Sequence, residues 1–192
     1  TGAGKKPSDY PTFQDPNGYK NNCAKLVTKK TGFFGESVGM PIAAGNLFLG
    51  QFDVKDAVAT PLQATKFGVP FTKIPTRLTG FYILTPGEKY MDGKTHIKDT
   101  VDQADIYGVF YDSDDRKLTL DGSNSLSHKN IIALARPKVI EATAEWTRFD
   151  YEFVYNEGYV VDQEKLKKGD YKLALVFSSS VDGAEFKGAP GS

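Results

Sequence analysis

Turn dipeptides punctuate this chain, most densely after residue 85. Asn17-Gly18, Pro86-Gly87, Asp92-Gly93, Asp121-Gly122, Glu157-Gly158 and Asp182-Gly183 are spread along its 192 residues, and Gly169-Asp170 follows a lysine pair. Each combines a turn-forming residue with glycine, which reaches positive φ without steric cost. The runs between them are rich in β-branched and aromatic residues, which predicts short strands joined by tight turns.

Residues 149–156, "FDYEFVYN", alternate most clearly: Phe149, Tyr151, Phe153 and Tyr155 share one face, with Arg148, Asp150 and Glu152 on the other. "ADIYGVFYD" (104–112) is apolar on both faces, so it reads as a central, buried strand. "AKLVTK" (24–29), "TRLTGFYIL" (76–84), "NIIALAR" (130–136) and "YKLALVFSS" (171–179) complete the set, with "IAAGNLFLGQF" (42–52) as one strand bulged at Gly45 and Gly50. Trp146 begins a strand whose parity shifts before Phe149, which predicts a bulge there. Helical signal is confined to a turn or two in 53–68 before Pro61 and one turn in 162–170 ending at Gly169. Residues 1–22 are rich in Gly, Pro, Asn and Asp and read as linker and loops, with one domain over 23–192. The fold class is all-β, as a two-sheet sandwich or jelly roll.

Lysine plus arginine equals aspartate plus glutamate, at 24 each. A chain with no net field and no basic run is not built to hold nucleic acid. Cys23 is the single cysteine, so no intrachain disulfide forms, and His96 and His128 lack second ligands at zinc spacing. No G-x-S-x-G elbow or phosphate-binding loop is present. The serines at 178–180 read as a strand exit that satisfies backbone groups.

Two kinds of residue remain as candidates. Paired carboxylates could cleave a glycosidic bond: Asp105, Glu141, Glu145, Glu152 and Asp182 are eligible, and Asp105 with Glu145 or Glu152 is the pair to inspect. Asp112, Asp114 and Asp115 crowd one strand end, where alternating oxygens could hold a structural calcium, although EF-hand spacing is missing. No other cofactor is expected. Aromatic residues are abundant: 13 Phe, 10 Tyr and 1 Trp. Tyr82, Tyr107, Tyr111, Trp146 and Tyr159 each join a flat apolar face to a polar edge. Such rings stack on sugars, with Asn46, Asp105 and Asp182 placed to bond hydroxyls; Trp146 either anchors the core or lines a groove.

The stretches "GMPIAAGNLFLGQF", "PLQATKFGVPFTKIPTRLTGFYILTPGEKY", "DQADIYGVFYD", "LDGSNSL", "NIIALAR", "EWTRFDYEF" and "GDYKLALVFSSSVDGAEFKGAPGS" occur in this order along nearly the whole chain. In combination they resemble the putative carbohydrate metabolism domain of Bacteroides-type surface and periplasmic proteins. The resemblance implies a jelly-roll β-sandwich similar to carbohydrate-binding modules, an oligo- or polysaccharide ligand, and location in the periplasm or at the cell surface as an outer-membrane lipoprotein. It admits three functions: glycan binding, glycoside hydrolysis, or a structural module that binds protein. Ile83-Leu84 departs from the family's usual Lys-Tyr, a difference that bears on specificity. The family also continues beyond Gly191-Ser192 into a final strand. Residues 182–192 are then expected to be a crossing loop, leaving an open sheet edge that a second chain could join.

Overall fold

The computed structural model describes residues 6–192. It begins with a hairpin, β1 (Thr12–Asp15) against β2 (Cys23–Leu26). Short pieces follow: β3 (Lys29–Lys30), α1 (Gly32–Ser37), β4 (Ile42–Ala43), β5 (Asn46–Phe48), β6 (Gly50–Phe52), the one-turn helices α2 (Asp56–Ala59) and α3 (Pro61–Ala64), β7 (Thr65–Phe67) and β8 (Val69–Pro70). Next come β9 (Arg77–Leu84), β10 (Met91–Asp92), β11 (Thr95–His96), β12 (Asp105–Asp112), β13 (Ile131–Ala135), β14 (Thr143–Glu152), β15 (Val154–Tyr155), α4 (Gln163–Lys168), β16 (Tyr171–Ser178) and β17 (Lys187–Gly188).

The main sheet runs β15-β13-β12-β16-β5, with β8 also on β16, and β14 and β9 form a separate ribbon. Strand β12 is buried along nearly its whole length, as its apolar pattern predicts. Ile106 and Phe110 face a core shared with Leu78, Phe149 and Leu173. Tyr107, Val109 and Tyr111 face a second core with Phe67 and Leu120. The sheet therefore has a layer on each side.

The alternation over 149–155 serves both the ribbon and the main sheet. Strand β14 pairs with β9, the chain turns at Phe153, and β15 pairs with β13. Phe149 lies over Gly80 of β9, where an added Cβ would sit 2.5 Å from its ring. Phe153 lies over Gly108 of β12, with 2.6 Å available to such a Cβ and Leu175 at 3.3 Å. The glycines are seats for these rings. Gly108→Ala is expected to destabilise the domain by about 2 kcal/mol, because overpacked cores must shift their side chains. Urea denaturation of Gly108→Ala, alone and with Phe153→Leu, checks this: the double variant recovers part of the loss.

Several boundaries differ from the sequence reading. The segment 1–22 contains strand β1, stabilised by full pairing with β2 from Thr12↔Leu26 to Asp15↔Cys23. The run 42–52 is broken into β4, β5 and β6. Gly45, between β4 and β5, lets the first hairpin approach closely, since a Cβ there would lie 2.4 Å from the Pro11 carbonyl oxygen. Residues 53–68 form two one-turn helices rather than ending at Pro61, because proline suits the first turn of the second. Helix α4 follows the pattern closely: Asp162 accepts from the Glu164 and Lys165 amides, and Gly169 closes it at φ 72°. The crossing loop contains a bridge of its own, β17 against β10.

Two of the three serines at the end of β16 fasten distant parts of the chain, and the first braces the run itself. Ser178 Oγ donates to the Ser180 carbonyl at 2.8 Å. Ser179 Oγ lies 2.8 Å from Thr28 Oγ1 and accepts from the Gly45 amide. Ser180 Oγ donates to Asp102 Oδ1 at 2.7 Å, while Asp102 Oδ2 accepts the Ala189 amide at 2.7 Å. Gly188 passes this knot at φ 140°, and a Cβ there would lie 3.0 Å from Asp102 Oδ2. The serine run is thus a fastener between distant segments, beyond the local role expected of it.

Candidate functional site

A cleft of about 590 Å³ opens between the first hairpin and the ribbon. Residues 23–27 of the hairpin line one side and residues 81–85 of the ribbon the other. Strand β2 pairs only with β1, and β9 only with β14. The cleft therefore runs between two strand edges without partners among the described residues. Ile106, Ile140 and Phe149 contribute its apolar lining, and the ends of β12 and β16 contribute Asp105, Ser178 and Ser179.

Among the described residues, two side-chain carboxylates line this space, Asp15 and Asp105. Asp105 is held by a two-point contact: Arg136 Nε donates to Oδ1 at 2.9 Å and Nη2 to Oδ2 at 2.7 Å. Asp15 Oδ1 accepts the Asn17 amide and Asn17 Nδ2, each at 2.9 Å, and Lys25 stands 3.6 Å from Oδ2. Bonds from Asn17, the backbone one foremost, hold its carboxyl below the usual aspartate range. Cys23 also lines the cleft. Burial, then the charge of Asp15, pushes its thiol up, so it stays protonated at neutral pH and is a poor nucleophile.

Three rings gather at this end of the molecule. Tyr19, in the loop between β1 and β2, stacks on Phe81 with centroids 3.8 Å apart and planes 12° from parallel. Trp146 meets Tyr19 edge-on at 6.4 Å and 65°. The ribbon's register slips between Thr143 and Thr147, so the predicted bulge exists and sets Trp146 out of step with Phe149. Trp146 and Phe81 both line the cleft.

The family model described as "Putative carbohydrate metabolism domain" matches residues 1–192. The chain belongs to this family. Two solved structures are similar. One, a putative glycoside hydrolase from Bacteroides thetaiotaomicron VPI-5482, is 46% identical at a TM-score of 0.94, covering 98% of this chain and 55% of that one. The other, a putative glycoside hydrolase from Bacteroides vulgatus ATCC 8482, is 42% identical at a TM-score of 0.93, covering 100% of this chain and 76% of that one. The chain thus spans about half the length of the first and three quarters of the second. No match was found among curated proteins.

Within this carbohydrate metabolism domain, the residues singled out from sequence separate into groups. Trp146, Tyr82 and Asp105 reach the cleft. Tyr82 is half-buried against the core and donates its hydroxyl to the Glu141 carbonyl at 3.1 Å, so only part of its ring is available. Tyr107 and Tyr111 cannot stack on a ligand, because β12 is covered on both faces. Their hydroxyls are satisfied internally, by Ser125 at 3.1 Å and by the Phe67 carbonyl at 2.6 Å, and burial pushes the Tyr111 phenol up to about 12. Tyr159 lies by Tyr171, hydroxyl to hydroxyl at 3.3 Å.

Asn46 spends its side-chain amide on the Ala44 carbonyl, and Asp182 accepts the Tyr90 hydroxyl; neither lines the cleft. Glu145 and Glu152 are exposed on β14 and also lie outside the cleft lining, so neither is brought to Asp105 there. Glu152 stands 4.0 Å from Arg77 instead. Asp112 is held by Lys165 at 2.7 Å, and no three His, Cys, Asp or Glu side chains among the described residues gather to hold a metal ion. Asp15, Lys25, Tyr19 and Phe81 were missed from sequence. An aromatic residue inside "PNGYKNN", a loop with no apolar neighbours to bury it, is the signal that could have found Tyr19.

Proposed function

We propose that this domain is a jelly-roll carbohydrate-binding module whose ligand is held at the cleft mouth by Trp146 and its neighbouring rings. The observation that carries the reading is the grouping of aromatic faces at a cleft whose two carboxylates already have cationic partners. Flat rings beside polar groups suit the C–H face and hydroxyls of a sugar. A carboxylate tied at both oxygens by arginine is poorly placed to donate a proton or attack a sugar carbon. The membership of the chain in a carbohydrate metabolism family supports a saccharide ligand.

The two strand edges, unpartnered among the described residues, offer backbone groups that an added strand could take. A strand there would occupy the space between β2 and β9, and the exposed Tyr19 ring would remain outside. Location in the periplasm or at the cell surface is part of the same proposal, and membrane fractionation of the native protein tests it.

Glycoside hydrolysis is the second reading. It is favoured by the placement of Asp15 and Asp105 on one cleft and by the description of both solved relatives. A glycan array probed with the domain, followed by chromatography of each bound sugar, separates the two. Binding without cleavage is the expected result. Trp146→Ala should then weaken binding about tenfold, the loss of one aromatic contact to the sugar, with the domain still folded. Cleavage that disappears in Asp105→Asn, with binding retained, would make the domain an enzyme.

A further inference from the structure

We propose that Tyr19 is the ring on which a neutral glycan stacks, with Phe81 as its support and Trp146 as the side wall of the subsite. This rests on the saccharide-binding reading above and adds the ring, what positions it and the charge class of the ligand.

Tyr19 is 49% exposed although one face of its ring is covered by Phe81. The opposite face is the one that meets solvent. A tyrosine on a polar loop ordinarily loses side-chain freedom when it binds; here the stack has already taken it. The loop is also set in advance. Asp15 Oδ1 ties down Asn17 twice, and the Gly18 amide donates to the Asn21 carbonyl at 2.7 Å. A Cβ on Gly18 would lie 2.3 Å from that carbonyl oxygen, so the tight return requires glycine. The 65° between Tyr19 and Trp146 forms a corner. A pyranose laid on Tyr19 would turn its edge towards the indole.

Charge around the corner is balanced locally. Asp15 is matched by Lys25 and Asp105 by Arg136. On the outer face of the ribbon, Arg77 and Arg148 share Asp150, and Glu152 stands by Arg77. Lys20 and Glu145, sequence neighbours of Tyr19 and Trp146, have opposite signs. Sites for uronates or sulfated sugars present surplus arginine or lysine; this corner presents none, which selects a neutral glycan.

Calorimetry of the folded domain with cello-, xylo- and mannohexaose, alongside oligogalacturonate and a chondroitin sulfate hexasaccharide, tests the proposal. The expected result is a neutral binder whose affinity is unchanged by added salt. Tyr19→Ala should weaken it about tenfold while the domain stays folded with only a small drop in melting, and Tyr19→Phe should stay within about threefold. Phe81→Ala should also weaken binding, and Phe81→Tyr, which keeps the stack, should restore it. Two results overturn the proposal while leaving the saccharide reading intact: preference for an anionic sugar with affinity falling as salt rises, or Trp146→Ala removing binding while Tyr19→Ala does not. Absence of binding by every sugar, neutral and charged, overturns both.

Discussion

Phe110→Ala lowers the unfolding free energy by about 4 kcal/mol, the usual cost of removing a fully enclosed phenylalanine. Phe110 has no exposed surface and sits mid-strand on β12. Tyr171 lies 5.2 Å from it, Tyr155 6.3 Å and Phe71 6.5 Å, centroid to centroid. These rings come from β16, β15 and the loop after β8, so no single segment can move in to fill the space. The residual cavity, added to the lost transfer energy, places the variant at the upper end of core truncations. For a domain of this length the melting temperature should fall by roughly 12 °C. Phe110→Leu should lose far less, since it retains most of the volume. Urea titrations of the three proteins measure both differences; a loss under about 1 kcal/mol for the alanine variant would mean that the core collapses around the gap.

Asp102→Ala is the next largest loss, about 3 kcal/mol. Asp102 is 1% exposed and binds Ser180 and the Ala189 amide. Its removal strands the buried Ala189 amide and leaves the Ser180 hydroxyl only a longer bond of 3.3 Å to the Lys187 carbonyl, and a buried orphan costs about 1–3 kcal/mol. Asp102→Asn should be milder, since its carbonyl oxygen still accepts one bond. Burial raises the Asp102 carboxyl above its ordinary value of 3.8, against the lowering effect of its hydrogen bonds. The folded domain therefore keeps this proton over a pH range in which the unfolded chain has lost it. This group's contribution to stability is largest below 3.8, falls as pH rises through that range, and is level above the folded value. Comparing wild type with Asp102→Asn across acid pH isolates the slope, because asparagine does not titrate.

Most of the strand plan was legible where one physical rule acted alone. Residues 104–112 are apolar on both faces because the strand has a layer on each side. The parity shift at Trp146 marked a real bulge. The exchange of sheets at Phe153 was not legible, because alternation reports which side is buried and is blind to which strand lies alongside. Tyr107 and Tyr111 were misplaced for a related reason. A tyrosine in a strand is equally compatible with a groove and with a core that supplies a hydroxyl partner, and only the fold brings Ser125 and the Phe67 carbonyl into reach. The sequence could not say which acidic candidates share a cleft, because pairing across one depends on the order of strands: Asp105 lines it, and Glu145 and Glu152 do not. Asp105 was recognised, but its partner proved to be Arg136, 31 positions further on.

The serine run also determines when this chain can finish folding. Thr28 and Ser179 are 151 positions apart, Gly45 and Ser179 134, and Asp102 and Ser180 78. On the ribosome the first hairpin and the strands after it emerge long before the serines that tie them down. Closing such long loops carries its entropic cost before any contact forms in return, so these late ties belong to a slow folder on the scale of milliseconds to seconds. Until then the segments around Thr28, Gly45 and Asp102 lack these ties, and the partly folded chain is open to wrong pairing.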